Sequence, residues 1–587
     1  MSLKILLTVH QFFPKYVSGT EVLTFSVAKD LLRRGHEVYV YTGYPAKELL
    51  PDWQRFDAYE IEGIQVRRFR HGFVPMGNQK TLSELEYDNR LSARYFLALL
   101  EELAPDVVHF FHFSRISSAL IDVVRQKRIP AYYTPTDFWA VCPTSQLLLG
   151  DGSVCLGPSR HAGNCIKHVA ALTRWKSHAG LVKYLPTLAA DSVAWLAKSS
   201  MRGCWPFRDD IAGLSRRSQV NVMRLNALNG IISPTRLMTD VLTRNGVDTR
   251  LIRQSAYGID MAGFYEARPC KYDGMHPLIL AYVGTLAPHK GCHVLIDAFL
   301  RLQPDGGMCL RIYGNLNDFP DYAGKLQRMS DGCRDIEFMG TFPNAEIARV
   351  LSGVDTLVVP SVWYENTPLV VYSALAAKRP VIASDFPGMS EVVKNGVNGL
   401  TFAPRDANAL AQCLKRLRDE EGFLTRLSAN CVPPKSVEAY VDELLALYAQ
   451  SPSPLHDLQV RPEIHAFQAE APRGRITGWV AVGGRAAKSV KIEVAGRELA
   501  AVCTVQPRPD VSAGLGHFRK KGESNFGFSL DLDESVSQQA ASLVVEGKDG
   551  QLYRFPLMEF RIGQAVQFPP DVLIALDSVA LGNAPEW

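Results

Sequence analysis

Nowhere does the 587-residue chain run through the about 18 uninterrupted apolar residues that a membrane-spanning helix needs. The apolar run in its opening, MSLKILLTVHQFFPK, is too short for such a helix and is followed by no small-residue cleavage site. It reads instead as a buried first strand. Charge of one sign is also scarce in excess. Lys and Arg number 64 against 60 Asp and Glu, a net charge of +4, which argues against a nucleic-acid partner. The 11 cysteines are an odd number in a long chain, so no disulfide framework is expected. No G-x-G-x-x-G follows a strand, which disfavours a dinucleotide dehydrogenase. There is no internal repeat and no long low-complexity tract. The expectation from these absences is a cytoplasmic protein.

What is present is ordinary globular texture, 47% hydrophobic and 21% charged. The length calls for three or more structural units. KILLTV, a loop, then TEVLTFSVAKDLLRRGHEVYVYT reads as strand, loop, helix and strand, with Val22, Phe25, Leu31 and Leu32 at helical spacing and Gly35 as the stop. PDVVHFFHFS (105–114) and RIPAYYTPTDFW (128–139) add buried strands. A second alternation starts with PLILAYVG near 277 and runs through DTLVVPS to PVIASD, closed by the helix 436–450. The fold class is α/β, with two Rossmann-like doubly wound domains at 1–265 and 266–450. A Ser/Pro linker (451–462) follows. Short alternating strands with Gly turns then predict an all-β sandwich-like domain at 463–587.

One stretch, PSVWYENTPLVVYSALAAKRPVIASD (360–385), carries chemistry. Thr367 suits a helix N-cap and Pro368 a first helical position, which leaves the amides of Leu369 and Val370 facing outward. Such an end attracts phosphate, whereas the neighbouring carboxylate of Glu365 would repel it. Both make sense for a ligand that carries sugar hydroxyls beside a phosphate, with Ser373 offering one hydroxyl. Lys290 in YVGTLAPHKG sits at a strand mouth as a point charge for phosphate. Gly19 in SGTE lies between the first strand and helix, where a backbone can approach a ligand. Each feature alone is read more simply as a capped core helix, a solvated lysine and a turn glycine. Three phosphate-friendly ends from two α/β domains are harder to dismiss together.

These residues resemble the retaining glycosyltransferases of family 4, with the two-Rossmann GT-B fold. The similarity runs over roughly residues 1–450 in the right order. It implies a nucleotide-diphosphate sugar donor in a cleft between the domains. Donor contacts would come from Gly19, Thr285, Lys290, Glu365, Asn366, Thr367, Pro368, Leu369 and Ser373, with catalytic roles for Glu365, Lys290 and Asp137. It implies no cofactor for catalysis, since the leaving diphosphate itself helps deprotonate the acceptor. The acceptor would be a glycan or a lipid-linked glycan, and the setting bacterial surface-polysaccharide or glycoconjugate assembly. The chain departs from the family at three places. Ser373 replaces the second Glu, Thr285 the usual Arg, and Thr136 the His before Asp137. A degenerate GT-B protein that binds nucleotide sugar or glycan without transfer is therefore the alternative. A sugar-nucleotide epimerase lacks identifiable acid–base residues in the matching loops.

Two further features lie in an insert at about 140–220. Cys142, Cys155, Cys165 and His168 form a candidate structural zinc site; the last two have knuckle-like C-x-x-H spacing. Relatives in the family often carry four cysteines here, so His168 would substitute for one. Residues 167–217 hold nine Lys/Arg (Lys167, Arg174, Lys176, Lys183, Lys198, Arg202, Arg208, Arg216, Arg217) against three acids, interleaved with Trp175, Trp195 and Trp205. That pattern reads as a solvated basic face, or as a peripheral contact with anionic lipid on the cytoplasmic face of the inner membrane. In the β domain, Arg508 and Asp510 read as a strand-end ion pair. Trp479 and Phe526 read either as core or as glycan-stacking residues.

Overall fold

The computed structural model describes residues 2–449 except 47–49, 51, 73, 75, 78, 80, 150–152, 173–183, 199–206, 304–305 and 367. Between 474 and 580 it describes strands and a few adjoining residues. The chain divides into two compact units, Met1–Leu458 and Gln459–Trp587.

The first unit holds two parallel sheets. One is built from β1 (Lys4–Val9), β2 (Glu37–Pro45), β3 (Phe56–Ile61), β4 (Ile64–His71), β5 (Val107–Phe110), β6 (Ala131–Tyr133), β7 (Gly230–Ser233) and β8 (Ile252–Gln254). Its spatial order is β3-β4-β2-β1-β5-β6-β7-β8, parallel throughout except for the β3–β4 hairpin. KILLTV is apolar on both faces because helices cover both. Ile5, Leu7 and Val9 pack on one side and Leu6 on the other, all fully buried. Helix Gly19–Arg33 buries Leu23, Val27 and Leu31. Val22, Phe25 and Leu32 of the expected stripe lie one step round, only partly buried, and Phe25 stacks on Phe13 at 4.4 Å.

The second sheet comprises β9 (Leu278–Val283), β10 (Met308–Tyr313), β11 (Ile336–Gly340), β12 (Thr356–Val359), β13 (Val381–Ser384) and β14 (Gly399–Phe402). The order β11-β10-β9-β12-β13-β14, all parallel, is the Rossmann order 3-2-1-4-5-6 counted from β9. Strand order reverses between β9 and β12 here, and between β1 and β5 in the first sheet. At such switch points the loops leaving the strands' carboxyl ends diverge to opposite faces and open a crevice.

The last helix of this unit, Val437–Ala449, does not simply close the second lobe as the sequence suggested. It packs back onto the first. Arg34 pairs with Asp442 and donates to the Glu438 carbonyl at 2.8 Å. Tyr132 donates to the Leu447 carbonyl at 3.1 Å, and Tyr440 and Tyr448 pair with Thr134 and His109 at 3.0 and 2.6 Å. The reason is that this helix buries Tyr440, Val441, Leu444 and Leu447, and its long polar tips need partners in the core.

The second unit consists of antiparallel sheets. In one, Gly474–Val482 lies between Gly527–Leu532 and Val572–Ala580. In the other, Ser489–Val494 lies between Arg497–Glu498 and Ala541–Glu546, and Leu552–Pro556 pairs with the latter. Arg508, Asp510 and Phe526 lie outside the described residues, as does the side chain of Trp479.

His109 is fully buried between Tyr448 and Thr134, and burial draws its imidazole down to about 3. It stays neutral in the folded chain while the unfolded chain takes a proton below about pH 6.5. Stability is therefore present above pH 6.5 and lost as pH falls toward 3. Urea-unfolding midpoints are expected to drop through that window, with a shallower drop in His109→Gln. Equal slopes in both proteins would remove His109 from the account.

Candidate active site

The residues leaving β9 and β12 meet at the switch point. Ala287 ends the strand exit, Pro288–Lys290 form a 3-10 turn, and Gly291 follows at φ +73°. A Cβ on Gly291 would stand 1.9 Å from the Pro360 carbonyl oxygen, so no other residue lets the two loops touch here. The Val362 amide donates to the His289 carbonyl at 2.9 Å, fastening the loops together. This contact brings Lys290 to Glu365. Three donors converge on Glu365 Oε1: Lys290 Nζ at 2.7 Å, Ser361 Oγ at 2.7 Å and Trp363 Nε1 at 2.9 Å. Lys290 Nζ also lies 5.1 Å from the Trp363 ring centre. The Glu365 carboxylate is thus almost wholly buried and oriented through one oxygen. Oε2 takes no further bond among the described residues.

Asn366 does something the sequence did not reveal. Its side chain reaches into the first lobe. Thr235 Oγ1 donates to its Oδ1 at 2.7 Å, and its Nδ2 donates to the Pro135 carbonyl at 3.2 Å and to Tyr257 Oη at 2.9 Å. Tyr257 in turn donates to the Pro135 carbonyl at 2.7 Å. Asn366 is therefore a buried cross-lobe pin adjoining Glu365. Gly388 presses on the same loop: a Cβ there would lie 2.0 Å from the Glu365 carbonyl oxygen.

The other expected donor residues fall as follows. The helix begins at Leu369, with Pro368 as its cap residue in extended conformation, so it starts one residue later than expected. Thr367 lies outside the described residues. Ser373 is buried and its hydroxyl donates back to the Leu369 carbonyl at 3.2 Å, spent on its own helix rather than held out. Thr285 is half-buried and its carbonyl accepts from Tyr282 Oη at 2.8 Å. Gly19 is exposed at the start of helix Gly19–Arg33, and a Cβ there would meet nothing within 4 Å. Packing does not require glycine at that position.

The first lobe supplies a second cluster at its own switch point. Asp137 Oδ1 accepts from the Trp139 amide at 2.8 Å and Oδ2 pairs with His112 Nε2 at 2.9 Å. The Ser114 amide donates to His112 Nδ1 at 3.1 Å, so Nε2 carries the proton and donates to Asp137. Thr136, in the place of the family's His, bonds to Thr20 Oγ1 at 2.9 Å. An imidazole thus reaches Asp137 from the end of β5 instead. The His112 ring lies 4.1 Å from that of His10, whose Nε2 stands 3.3 Å from Glu21 Oε1. Burial holds the His10 imidazole well below its usual range and pushes the Glu21 carboxyl up. None of His10, Glu21 and His112 was singled out from sequence. The available signal was a His directly after an apolar strand, in TVH and again in HFFH.

The insert was expected to hold a structural zinc site and a basic face. Cys142 and Cys165 are buried and Cys155 half-buried. Cys142 pairs with Thr144 at 3.3 Å, and Cys155 accepts from the Gly157 amide at 3.4 Å. Burial pushes the Cys165 thiol up and the His168 imidazole down. No group of three or more His, Cys, Asp or Glu side chains among the described residues, Cys142, Cys155, Cys165 and His168 included, is placed to hold a metal ion. Of the basic run, Arg174, Lys176, Lys183, Arg202, Trp175 and Trp205 lie outside the described residues. Arg217 is no part of a solvated face. It is fully buried, its guanidinium 4.4 Å from the Trp139 ring and donating to the Trp139 carbonyl at 2.6 Å. Among the described residues no helix is long and apolar enough to cross a membrane.

With this geometry in place, residues 17–174 match the family described as Glycosyltransferase Family 4 and residues 277–420 that described as Glycosyl transferases group 1. The chain thus carries the paired domains of the group 1 and family 4 glycosyltransferases, and its two Rossmann-like parallel sheets are the GT-B fold. Among curated proteins it is 34% identical over 151 residues to a glycogen synthase of Mycobacterium tuberculosis, covering 26% of this chain and 36% of that one. It is 30% identical over 209 residues to the amylovoran biosynthesis glycosyltransferase AmsK of Erwinia amylovora, covering 34% and 50%. The chain therefore spans about a third to a half of the length of these relatives. Among solved structures, Anabaena HepE in complex with UDP and glucose aligns at 16% identity and TM-score 0.47, over 76% of this chain and 98% of that one.

Replacing Asn366 by Ala strips partners from Thr235, Pro135 and Tyr257 across the lobes. The expected cost is about 1–3 kcal/mol of unfolding free energy. A urea titration showing no loss would mean the pin carries no weight.

Proposed function

We propose that the chain is a retaining glycosyltransferase that moves a sugar from a nucleotide-diphosphate donor to a glycan or lipid-linked acceptor. The observation that carries this reading is the Lys290–Glu365 pair at the β9/β12 switch point, inside the matched group 1 domain. A fixed ammonium suits the diphosphate, and an oriented carboxylate suits sugar hydroxyls. Charge that develops on the leaving diphosphate would be met by Lys290 and by the start of helix Leu369–Ala376. The acceptor hydroxyl would pass its proton to that diphosphate on the same face, so the reading assigns no catalytic metal and retains anomeric configuration. In this reading Asp137, held by His112 and the Trp139 amide, borders the acceptor side. The setting is surface-polysaccharide assembly, in keeping with AmsK as a relative. It places the protein in the cytoplasm, with a peripheral contact at anionic lipid supported by exposed Leu188 and Trp195 on the insert.

A second reading, a nucleotide-sugar binder without transfer, draws on Ser373. Its hydroxyl is committed to the Leu369 carbonyl, which leaves the ribose without the carboxylate that the family places there.

A thermal-shift panel of nucleoside diphosphates and nucleotide sugars identifies the donor, and coupled release of nucleoside diphosphate then separates transfer from binding. Lys290→Ala and Glu365→Ala are each expected to cut turnover at least tenfold, while Ser373→Ala leaves nucleotide binding within twofold. Near-normal turnover in both of the first two variants would overturn the assignment.

A further inference from the structure

The loops that join Lys290 to Glu365 also form the wall of a cavity that neither of these two side chains lines. It has a volume of about 610 Å³ and is lined from both lobes: Gln146 and Leu148 come from the insert of the first lobe, and His289, His293, Asp297 and Arg405 from the second. We propose that this cavity seats a neutral, hydroxyl-rich saccharide unit of the acceptor, an inference that rests on the transferase reading above.

The volume lies within the range of about 300–1,000 Å³ for small-molecule pockets. The polar groups are varied but nearly charge-balanced. Asp297 is matched on both oxygens by Arg301, at 3.0 and 2.9 Å. Arg405 Nη2 donates to the Val362 carbonyl at 3.1 Å. His293 is held by Tyr322, whose Oη accepts from the His293 amide at 3.2 Å and lies 2.7 Å from its Nδ1. His289 is neutral at pH 7, because burial and the Lys290 ammonium draw it down to about 4. Gln146 offers both a donor and an acceptor. Apolar patches from Leu148, Val294 and Met329 alternate with these groups. A sugar ring presents the same alternation, hydroxyls at its edge and C–H groups on its faces. A phosphate would meet two imidazoles and the Asp297 carboxylate, which Arg301 already pairs, beside an Arg405 guanidinium that donates to the Val362 carbonyl. The location fits an acceptor: His289 directly precedes Lys290 and is bonded to Val362, three residues before Glu365.

The test is saturation-transfer NMR on the full chain. The neutral probes are methyl α-D-glucopyranoside, maltose and lactose; the anionic ones are glucose 1-phosphate and glucuronate. Neutral probes are expected to receive saturation from the wild-type protein. Transfer should fall at least fivefold in Gln146→Ala and in His293→Ala, while nucleoside-diphosphate affinity stays within twofold. Gln146 sits on a surface loop of the opposite lobe, so its variant keeps the test open if His293→Ala melts early. Transfer to the anionic probes alone, to no probe, or undiminished in both variants would overturn the proposal. Failure of the transferase reading shows separately, as a wild-type protein that takes neutral saccharide but no nucleoside diphosphate.

Discussion

The candidate site depends on one close approach, the backbone of Gly291 against the carbonyl of Pro360. A side chain at Gly291 would overlap that oxygen, and the residue's positive φ already disfavours anything else. Once the two loops touch, Lys290 can reach Glu365, and Ser361 and Trp363 complete the set of donors on Oε1. Such a pair adds little net stability, because taking both charges from water costs about what their attraction returns. Its value lies in orientation. Among the described residues the carboxylate is held through one oxygen, and the ammonium is held at the mouth of the crevice, 26% exposed.

The rest of the first unit fixes this pair relative to the other lobe. Asn366, next to Glu365, bonds to Pro135, and Pro135 lies two residues before Asp137. Helix Val437–Ala449 crosses back to the first sheet and ties its tyrosines to His109 and Thr134. The groups at the two switch points are therefore connected through short hydrogen-bond paths rather than through long loops. Small displacements of either loop would strand buried polar groups, which makes the arrangement stiff.

The parallel strands were plain in the sequence because each is a short, nearly continuous apolar run; KILLTV matches β1 residue for residue. The β3–β4 hairpin was not, because Glu62–Gly63 turns the chain with both residues at positive φ yet lacks the usual Asn or Asp signal. Lys290 and Glu365 were legible as separate hints, while their contact depends on Gly291, whose requirement is tertiary. The cross-lobe bonds of Asn366 were hidden for the same reason, because Thr235, Pro135 and Tyr257 lie far from it in sequence. Cys165 and His168 have knuckle spacing along the chain, yet the thiols of Cys142 and Cys155 are engaged by Thr144 and Gly157. Arg217 looked like surface charge because its stacking partner, Trp139, lies far away in sequence.

The central claim is that the Lys290 ammonium exchanges its carboxylate partner for a diphosphate. A crystal structure of the chain with the nucleoside diphosphate that it binds most tightly tests this directly. A phosphate oxygen is expected within hydrogen-bond distance of Lys290 Nζ, with Glu365 still held by Ser361 and Trp363. A diphosphate seated away from the β9/β12 crevice, with Lys290 still bonded to Glu365 alone, would contradict it.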